Sequence, residues 1–590
     1  MLSALTRLLS MPPVQTGLVL GGTAATRAYQ PSLVDRSRND QAIITAGSIA
    51  AGYLAANLVE RVIGLVSTAT GVDRGYSAAT LGAIAAVVAR ADLSPALQTT
   101  AAVARDAAAV SATLAVARSG PTGRLGLALE ATAAGAAMAE GLRHQLGLYA
   151  DDGRSAPPTE DVVASLGTGT AIAGFVWALV AAERAVAAAF ADTASRLGGP
   201  RWIWRTGAHG ALLGGAALIA RTGAKRFLGS LDAAADETEA AYANPPTSQT
   251  LSGGPGSAVD HATIGVPGRR FVAEAVPHEE INRVMGCDTA ADPIRVYVGI
   301  DTAGTVDARV ALAVAELRRT AAFDRGLLIV GSPSGSGYLN YITVEAAEYF
   351  SRGDVATVTI QYGKRPSILS LDRLKLAQRQ HRALVDAIRD ELVRRDAGDR
   401  PRLVLYGESL GAQTSQDAFP QPGYDSLAER LVDHALWVGT PYPTRFRQAV
   451  LSASPGDPRF GRSASIADHD PAATYHFLEH HEDPVTLFTP ALFLRRPPWL
   501  GDPAERPPNV PRTQQWVPAI TFLQTVFDTK NATEIEPGEF NAFAHDYRAD
   551  LAEWVRAAYA IEDVSDEQMA RVEDALRRSE IERASKTTAR

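Results

Sequence analysis

The chain has 590 residues, 46% hydrophobic and 21% charged, with a net charge of −8 and an isoelectric point near 5.8. That length predicts two domains rather than one, and the acidic balance argues against a nucleic-acid binder, which would carry a basic stripe. The single cysteine, Cys287, excludes an intramolecular disulfide and a cysteine-built zinc site.

The first 240 or so residues are rich in Ala, Gly, Leu, Val and Thr. No secretory signal with a small-residue cleavage site is evident at the start. Ala42 to Val59 and Val162 to Ala182 carry no charge, and a bilayer core needs about 20 such residues in a helix. The second stretch has no polar face, and small residues such as Gly167, Gly169 and Gly174 suit close helix packing in lipid. Weaker candidates lie at 14–26, 78–89, 107–117, 125–139 and 206–220. Residues 1–244 therefore read as a multi-span helical transmembrane domain with four to six spans, placing the protein in the cell membrane. Arginines in most connecting loops leave the orientation open.

Composition changes at Asn244-Pro245-Pro246 and the Gly/Ser-rich 252–257, so 245–262 reads as a linker. Beyond it the pattern alternates. Strands are predicted at Ile294–Ile300, Leu327–Val330, Ala356–Tyr362, Leu403–Tyr406, Asp433–Val438 and Ala473–Leu478. Helices are predicted at Asp307–Thr320, Thr343–Ser351 and Leu374–Arg394. Near-continuous apolar strands between helices imply a mostly parallel sheet covered on both faces, over 263–562. Residues 563–590 read as a solvated, polar helical tail.

The strand Leu403–Tyr406 runs into Gly407-Glu408-Ser409-Leu410-Gly411. This is the G-x-S-x-G nucleophile elbow of an alpha/beta-hydrolase fold, in which a sharp strand-to-helix turn lifts a serine hydroxyl above the sheet. Serine needs a base, and the base needs an orienting acid, in the chain order Ser, acid, His. Of the downstream histidines, only His545 follows every strand the sheet requires. Asp483 lies on a loop leaving a strand, with Pro484 after it; Asp468 and Asp470 are the alternatives. Oxyanion donors are expected from the backbone of Leu410 and from the loop Gly331–Tyr338, where Pro333 has no N–H and Ser332 is favoured over Ser334 and Gly335. No Gly-Lys-Ser/Thr follows that loop, so it does not read as a phosphate cradle. His480 and His481 beside Glu482 diverge too much for a metal site. No cofactor or metal is expected. Trp499, Leu500 and Trp516, in a proline-rich stretch, read equally as a lid or acyl-binding rim and as core.

The stretches QPSLVDRS (Gln30–Ser37), RVYVGIDTA (Arg295–Ala303), ELRRTAAFDR (Glu316–Arg325), GSPSGSGYLN (Gly331–Asn340), LYGESLG, WVGTPYPT (Trp437–Thr444), HEDPV and AHDYRADL (Ala544–Leu551) run nearly the whole chain. Through them the protein resembles the bacterial membrane-anchored alpha/beta-hydrolase family, which joins an N-terminal transmembrane domain to a C-terminal catalytic domain. The resemblance implies a Ser-Asp-His triad at Ser409, Asp483 and His545, and residence in a membrane. Ala544 stands where glycine would be usual before the histidine. The expected activity is that of a membrane-bound serine esterase or lipase acting on an ester or thioester, with the bilayer and a small amphiphilic acyl substrate as partners. An acyltransferase with the same triad, or a non-catalytic membrane scaffold, are the alternatives.

Overall fold

A computed structural model describes residues 11–90, 95–119, 123–234, 239–419, 424–452, 457–533 and 536–588. The chain divides into two compact units. One comprises residues 1–217 and 488–531, the other residues 218–487 and 532–590, the division falling within the helix Arg201–Ala234.

The first unit is helical: Pro12–Arg27, Arg38–Thr70, Arg74–Val88, Pro95–Ser119, Gly123–Asp151 and Thr159–Ala194, followed by the start of Arg201–Ala234. Ser37 caps Arg38–Thr70 by accepting from the Asp40 amide, and Gly71 closes it in the left-handed region at φ 70°. Among the described residues two helical segments, Arg38–Thr70 and Thr159–Leu197, are long and apolar enough to cross a membrane. The sequence reading of four to six spans therefore exceeds what length and composition sustain. Pro12–Arg27 and Arg74–Val88 have only 16 and 15 residues, and charges fall within the other helices: Arg105 and Asp106 in Pro95–Ser119, Arg124, Glu130 and Glu140 in Gly123–Asp151, Arg205 and Arg221 in Arg201–Ala234. The apolar side chains of the two long segments are largely turned outward: Leu54, Leu58, Leu65, Phe175, Leu179 and Val186 are all exposed.

The 488–531 segment was expected to be continuous with the second unit, but it packs with these helices. Its polar residues find their partners in the stretch Gln30–Leu33. Gln30 Nε2 donates to Gln515 O at 2.8 Å and to Gln524 Oε1 at 3.1 Å, and Gln30 Oε1 accepts from the Gln515 amide at 3.1 Å. Ser32 Oγ and the Leu33 amide donate to the two carboxylate oxygens of Asp528, at 3.0 and 3.2 Å. Burial pushes the Asp528 carboxyl up to about 7, against the pull of Arg36 and of these donors. The motif QPSLVDRS thus acts as a clasp and a helix cap.

The second unit is built on seven parallel strands: β1 Ile294–Val298, β2 Leu327–Ser332, β3 Val355–Ile360, β4 Arg402–Glu408, β5 His434–Val438, β6 Phe460–Ser463 and β7 Tyr475–Leu478. Their order is β1-β3-β2-β4-β5-β7-β6. β1, β2, β3 and β7 are buried throughout, as apolar runs in a covered parallel sheet should be. The helix Val306–Arg319 packs on Leu374–Leu392, and Tyr341–Phe350 packs on Arg548–Ala558. β6 has no counterpart in the sequence reading: "FGRS" is a short edge strand with one exposed arginine and no apolar run.

Two expectations change here. The stretch 245–262 is not a free linker: Leu251, Ser252 and Val259 are buried, and the Ser252 amide donates to Arg295 O at 3.0 Å. Glycine and proline mark turns there, and the turns hold the chain against β1. The tail is not solvated either. Its helix Asp566–Thr588 buries Val572, Ala575 and Leu576, and Arg583 pairs with the buried Glu345 while lying 4.0 Å from the Tyr341 ring centroid.

β1 also carries a buried ion pair. Arg295 meets both carboxylate oxygens of Glu348, Nε at 2.6 Å and Nη2 at 2.7 Å, and gives Nη1 to Phe271 O. Both side chains are essentially sealed, at 0% and 1% exposed. Glu348→Ala leaves an uncompensated guanidinium in the core and is expected to cost about 3–5 kcal/mol. A lower urea midpoint for the full chain checks this; an unchanged midpoint refutes it.

Candidate active site

β4 occupies the middle of the sheet, and its last residues turn abruptly into the helix Leu410–Asp417. Ser409 stands at the turn with φ 55° and ψ −124°, a conformation that costs a non-glycine residue about 1–3 kcal/mol. The flanking glycines make the turn possible. A Cβ on Gly407 would lie 2.7 Å from Gly411 O, and one on Gly411 would lie 2.2 Å from Ser332 O. Strand end, turn, helix and the Ser332 end of β2 therefore meet with room for hydrogen alone.

Asp483 follows β7 directly, and His545 arrives from the loop before Arg548–Ala558. His545 Nδ1 and Asp483 Oδ2 are 2.7 Å apart, with the histidine buried and the carboxylate fully so. The Val485 amide donates to Asp483 Oδ1 at 2.8 Å, which fixes the plane of the carboxylate. The sheet brings the serine to the same place. The Ser409 amide donates to Val438 O at 2.9 Å, and His545 lies against the next residue: a Cβ on Gly439 would fall 2.5 Å from His545 Cε1. Ser409, Asp483 and His545 are thus gathered at the carboxyl ends of the neighbouring strands β4, β5 and β7. Asp468 and Asp470 stay in their own loop, accepting from Ser465 Oγ and the Ala472 amide.

Burial works against a charged imidazole at His545, but the charge and hydrogen bond of Asp483 outweigh it, with Glu408 and Asp546 adding to them; the result lies above the ordinary histidine value. Glu408 lies within the elbow itself. It accepts from Asn340 Nδ2 at 2.7 Å and Tyr406 Oη at 2.9 Å, and burial raises its carboxyl above the usual range.

Of the candidate oxyanion donors, the Leu410 amide opens the helix after the elbow, where amides point outward unpaired. In the β2 loop, the Ser334 amide donates to Tyr338 O at 2.8 Å and the Gly335 amide to Ser367 Oγ at 3.4 Å. Ser332 closes β2 beside Gly407.

Against known proteins, residues 294–572 match an alpha/beta-hydrolase family and residues 30–275 match the N-terminus belonging to that alpha/beta-hydrolase family. The chain belongs to this alpha/beta-hydrolase family. No curated protein and no solved structure matches it. An alpha/beta-hydrolase family is in general hydrolytic, so a hydrolase-type activity is what the site has to account for.

One residue of this candidate site carries no mark in the sequence reading. Tyr547 Oη donates to Asp483 Oδ2 at 2.7 Å and accepts from the His480 amide at 3.1 Å. The Asp483 oxygen facing His545 therefore holds a second, neutral donor. The signal was present in AHDYRADL, where the tyrosine falls two residues after the histidine. His480 stacks on Tyr547 with ring centroids 4.1 Å apart, and its two ring nitrogens meet Ala544 O and Asp550. It braces the acid loop. Trp499, Leu500 and Trp516 belong to the segment that packs with the N-terminal helices. Leu500 is fully buried there, and Trp516 Nε1 donates to Leu492 O at 2.9 Å.

Proposed function

We propose that the protein is a membrane-bound serine hydrolase that cleaves an ester or thioester through an acyl-enzyme. His545 takes the proton of the Ser409 hydroxyl as its oxygen attacks the carbonyl carbon, and the carbonyl oxygen becomes an oxyanion held by the amide of Leu410; the Ser332 amide, paired into the β2–β4 ladder, is not the second donor. Asp483 holds the imidazole in the tautomer with Nδ1 protonated and stabilises the imidazolium. The tetrahedral intermediate collapses, the proton passes from His545 to the departing alcohol or thiol, and the acyl group stays on Ser409. Water, deprotonated by the same histidine, then releases the acid.

The observation that carries this reading is the Asp483–His545 pair lying against Gly439, next to the residue whose carbonyl anchors the strained Ser409. An elbow serine without an oriented base would be an ordinary helix start. Membrane residence is supported by the two long apolar segments with outward-facing side chains. A bilayer presents amphiphiles at high local concentration, which favours a lipid-like acyl substrate.

The test is covalent. The full chain in mild detergent is exposed to a fluorophosphonate and then digested, and a screen of acyl esters of graded chain length is run in parallel. A single phosphonylated peptide carrying Ser409, with turnover of at least one ester, is expected. Folded protein that takes no label overturns the proposal.

A further inference from the structure

Within the helical unit, a cavity of about 550 Å³ lies between the helix Gly123–Asp151 and the proline-rich 496–516 stretch. That size suits a small molecule or a lipid headgroup. Its lining is cationic: Arg496, Arg506, Arg512 and His144 face it, together with Gln514 and Trp516.

The arginines are unusual in what they lack. Arg506 is 8% exposed, and among the described residues no carboxylate forms an ion pair with it. Its guanidinium donates to backbone carbonyls only: Arg512 O at 3.0 Å, Gln514 O at 2.9 Å, Gly501 O at 3.3 Å, and Pro511 O. Its Nε has no partner. Arg496 is held in the same manner, by Leu500 O at 2.7 Å and Gly501 O at 2.8 Å. Two guanidiniums therefore converge on the single carbonyl of Gly501, and their like charges repel. Burial together with the charge of Arg496 weakens the hold of Arg506 on its proton; Asp152 and Asp502 pull the other way. Neither acid forms an ion pair with Arg506, and each is held by neutral backbone amides. Asp152 accepts from the Arg512 amide at 2.8 Å and the Thr513 amide at 3.1 Å, and Asp502 accepts from the Ala504 amide at 2.9 Å.

Gln514 gives a second, independent sign. It is 1% exposed, and neither its amide nitrogen nor its amide oxygen has a partner. A buried amide left unpaired destabilises the fold, and buried charge without a counter-charge does so more. An anion with several acceptor oxygens answers the guanidinium charges and the donor nitrogen of Gln514 together. Planar guanidinium forks match phosphate oxygens, and a phosphate can take several such donors at once.

We infer that this cavity is a binding site for a phosphate group, carried either by a lipid headgroup or by a small soluble molecule, recognised by Arg496, Arg506, Arg512 and Gln514. Trp516 on the wall provides an apolar surface for whatever the phosphate is attached to. The site makes no use of Ser409 and stands whether or not the proposed chemistry holds.

Binding is read by calorimetry on the full chain in a non-ionic detergent, with inorganic phosphate in one arm and dihexanoyl phosphatidic acid in the other. Saturable binding of one equivalent is expected in at least one arm. Binding of the lipid alone assigns a headgroup site; equal binding in both arms assigns the phosphate group itself. Arg496→Gln and Arg512→Gln, both at exposed positions, are each expected to weaken binding about tenfold, while Ser409→Ala leaves it unchanged. No saturable binding in either arm overturns the inference, as does full affinity in the Arg496→Gln/Arg512→Gln double variant. A thermal unfolding midpoint for each variant separates lost binding from lost fold.

Discussion

Replacing Ser409 by alanine is expected to abolish fluorophosphonate labelling and to lower ester hydrolysis by about 10⁴-fold or more, with the thermal midpoint unchanged. In the proposed mechanism the loss is large because the nucleophile, its base and the acid act as a unit. Without the hydroxyl, the Asp483–His545 pair has no proton to take and no acyl-enzyme to resolve. Whatever activity is left comes from oxyanion donors and binding acting on water. The fold should survive, since the strain at the elbow is in the backbone. Alanine meets the same φ of 55° that serine meets, and the close contacts belong to Gly407 and Gly411, which the variant keeps. Retained hydrolysis with a folded Ser409→Ala protein would remove the serine from the reaction and the acyl-enzyme with it.

The parts of this arrangement that were legible in the sequence are those where one local rule acts alone. β1 to β5 and β7 are short apolar runs between turn signals, and a central parallel strand has little else it can be. The elbow declares itself because the two glycines and the serine each answer a separate steric demand within five residues. The meeting of Asp483 with His545 was legible through chain order, a property of the fold rather than of their neighbours. Tyr547 was not, since its role depends on a 2.7 Å contact with an oxygen 64 residues earlier in the chain. β6 was missed because an edge strand needs little apolar character. The segment 488–531 shows the limit most clearly. Its prolines read as a loop within the catalytic domain, yet it folds with the helical unit because Gln515, Gln524 and Asp528 are answered by Gln30, Ser32 and Leu33, almost 500 residues away. Apolar periodicity carries no record of such polar pairing. The same blindness made 563–590 look solvated: Arg583 reads as surface charge until Glu345 is placed beside it.

Asp483→Asn is expected to leave labelling detectable but to lower kcat/KM by about 10⁴-fold, and to shift what remains along the pH axis. An asparagine has the size of the carboxylate and can still accept the Val485 amide. It brings no charge, and its amide can turn a donor toward His545 Nδ1, which favours the tautomer with the proton on the wrong nitrogen. The sign of the pH effect follows from the charges around the ring. In the wild type, Asp483 and then Glu408 raise His545 above its ordinary value against the effect of burial. The base is active only when deprotonated, so the acid limb of the pH–rate profile is expected above about 6.5. Removing the Asp483 charge leaves burial dominant, and the limb moves to lower pH. Tyr547→Phe tests the same oxygen from its other side. It deletes one neutral donor to Asp483 Oδ2, so the carboxylate keeps its charge and loses only an anchor. A loss of about tenfold in kcat/KM is expected, with the limb held above 6.5. The two variants therefore separate charge from placement: if Asp483→Asn left the acid limb where it was, the charge of Asp483 would not be what tunes the base, and its contact with His545 would be structural.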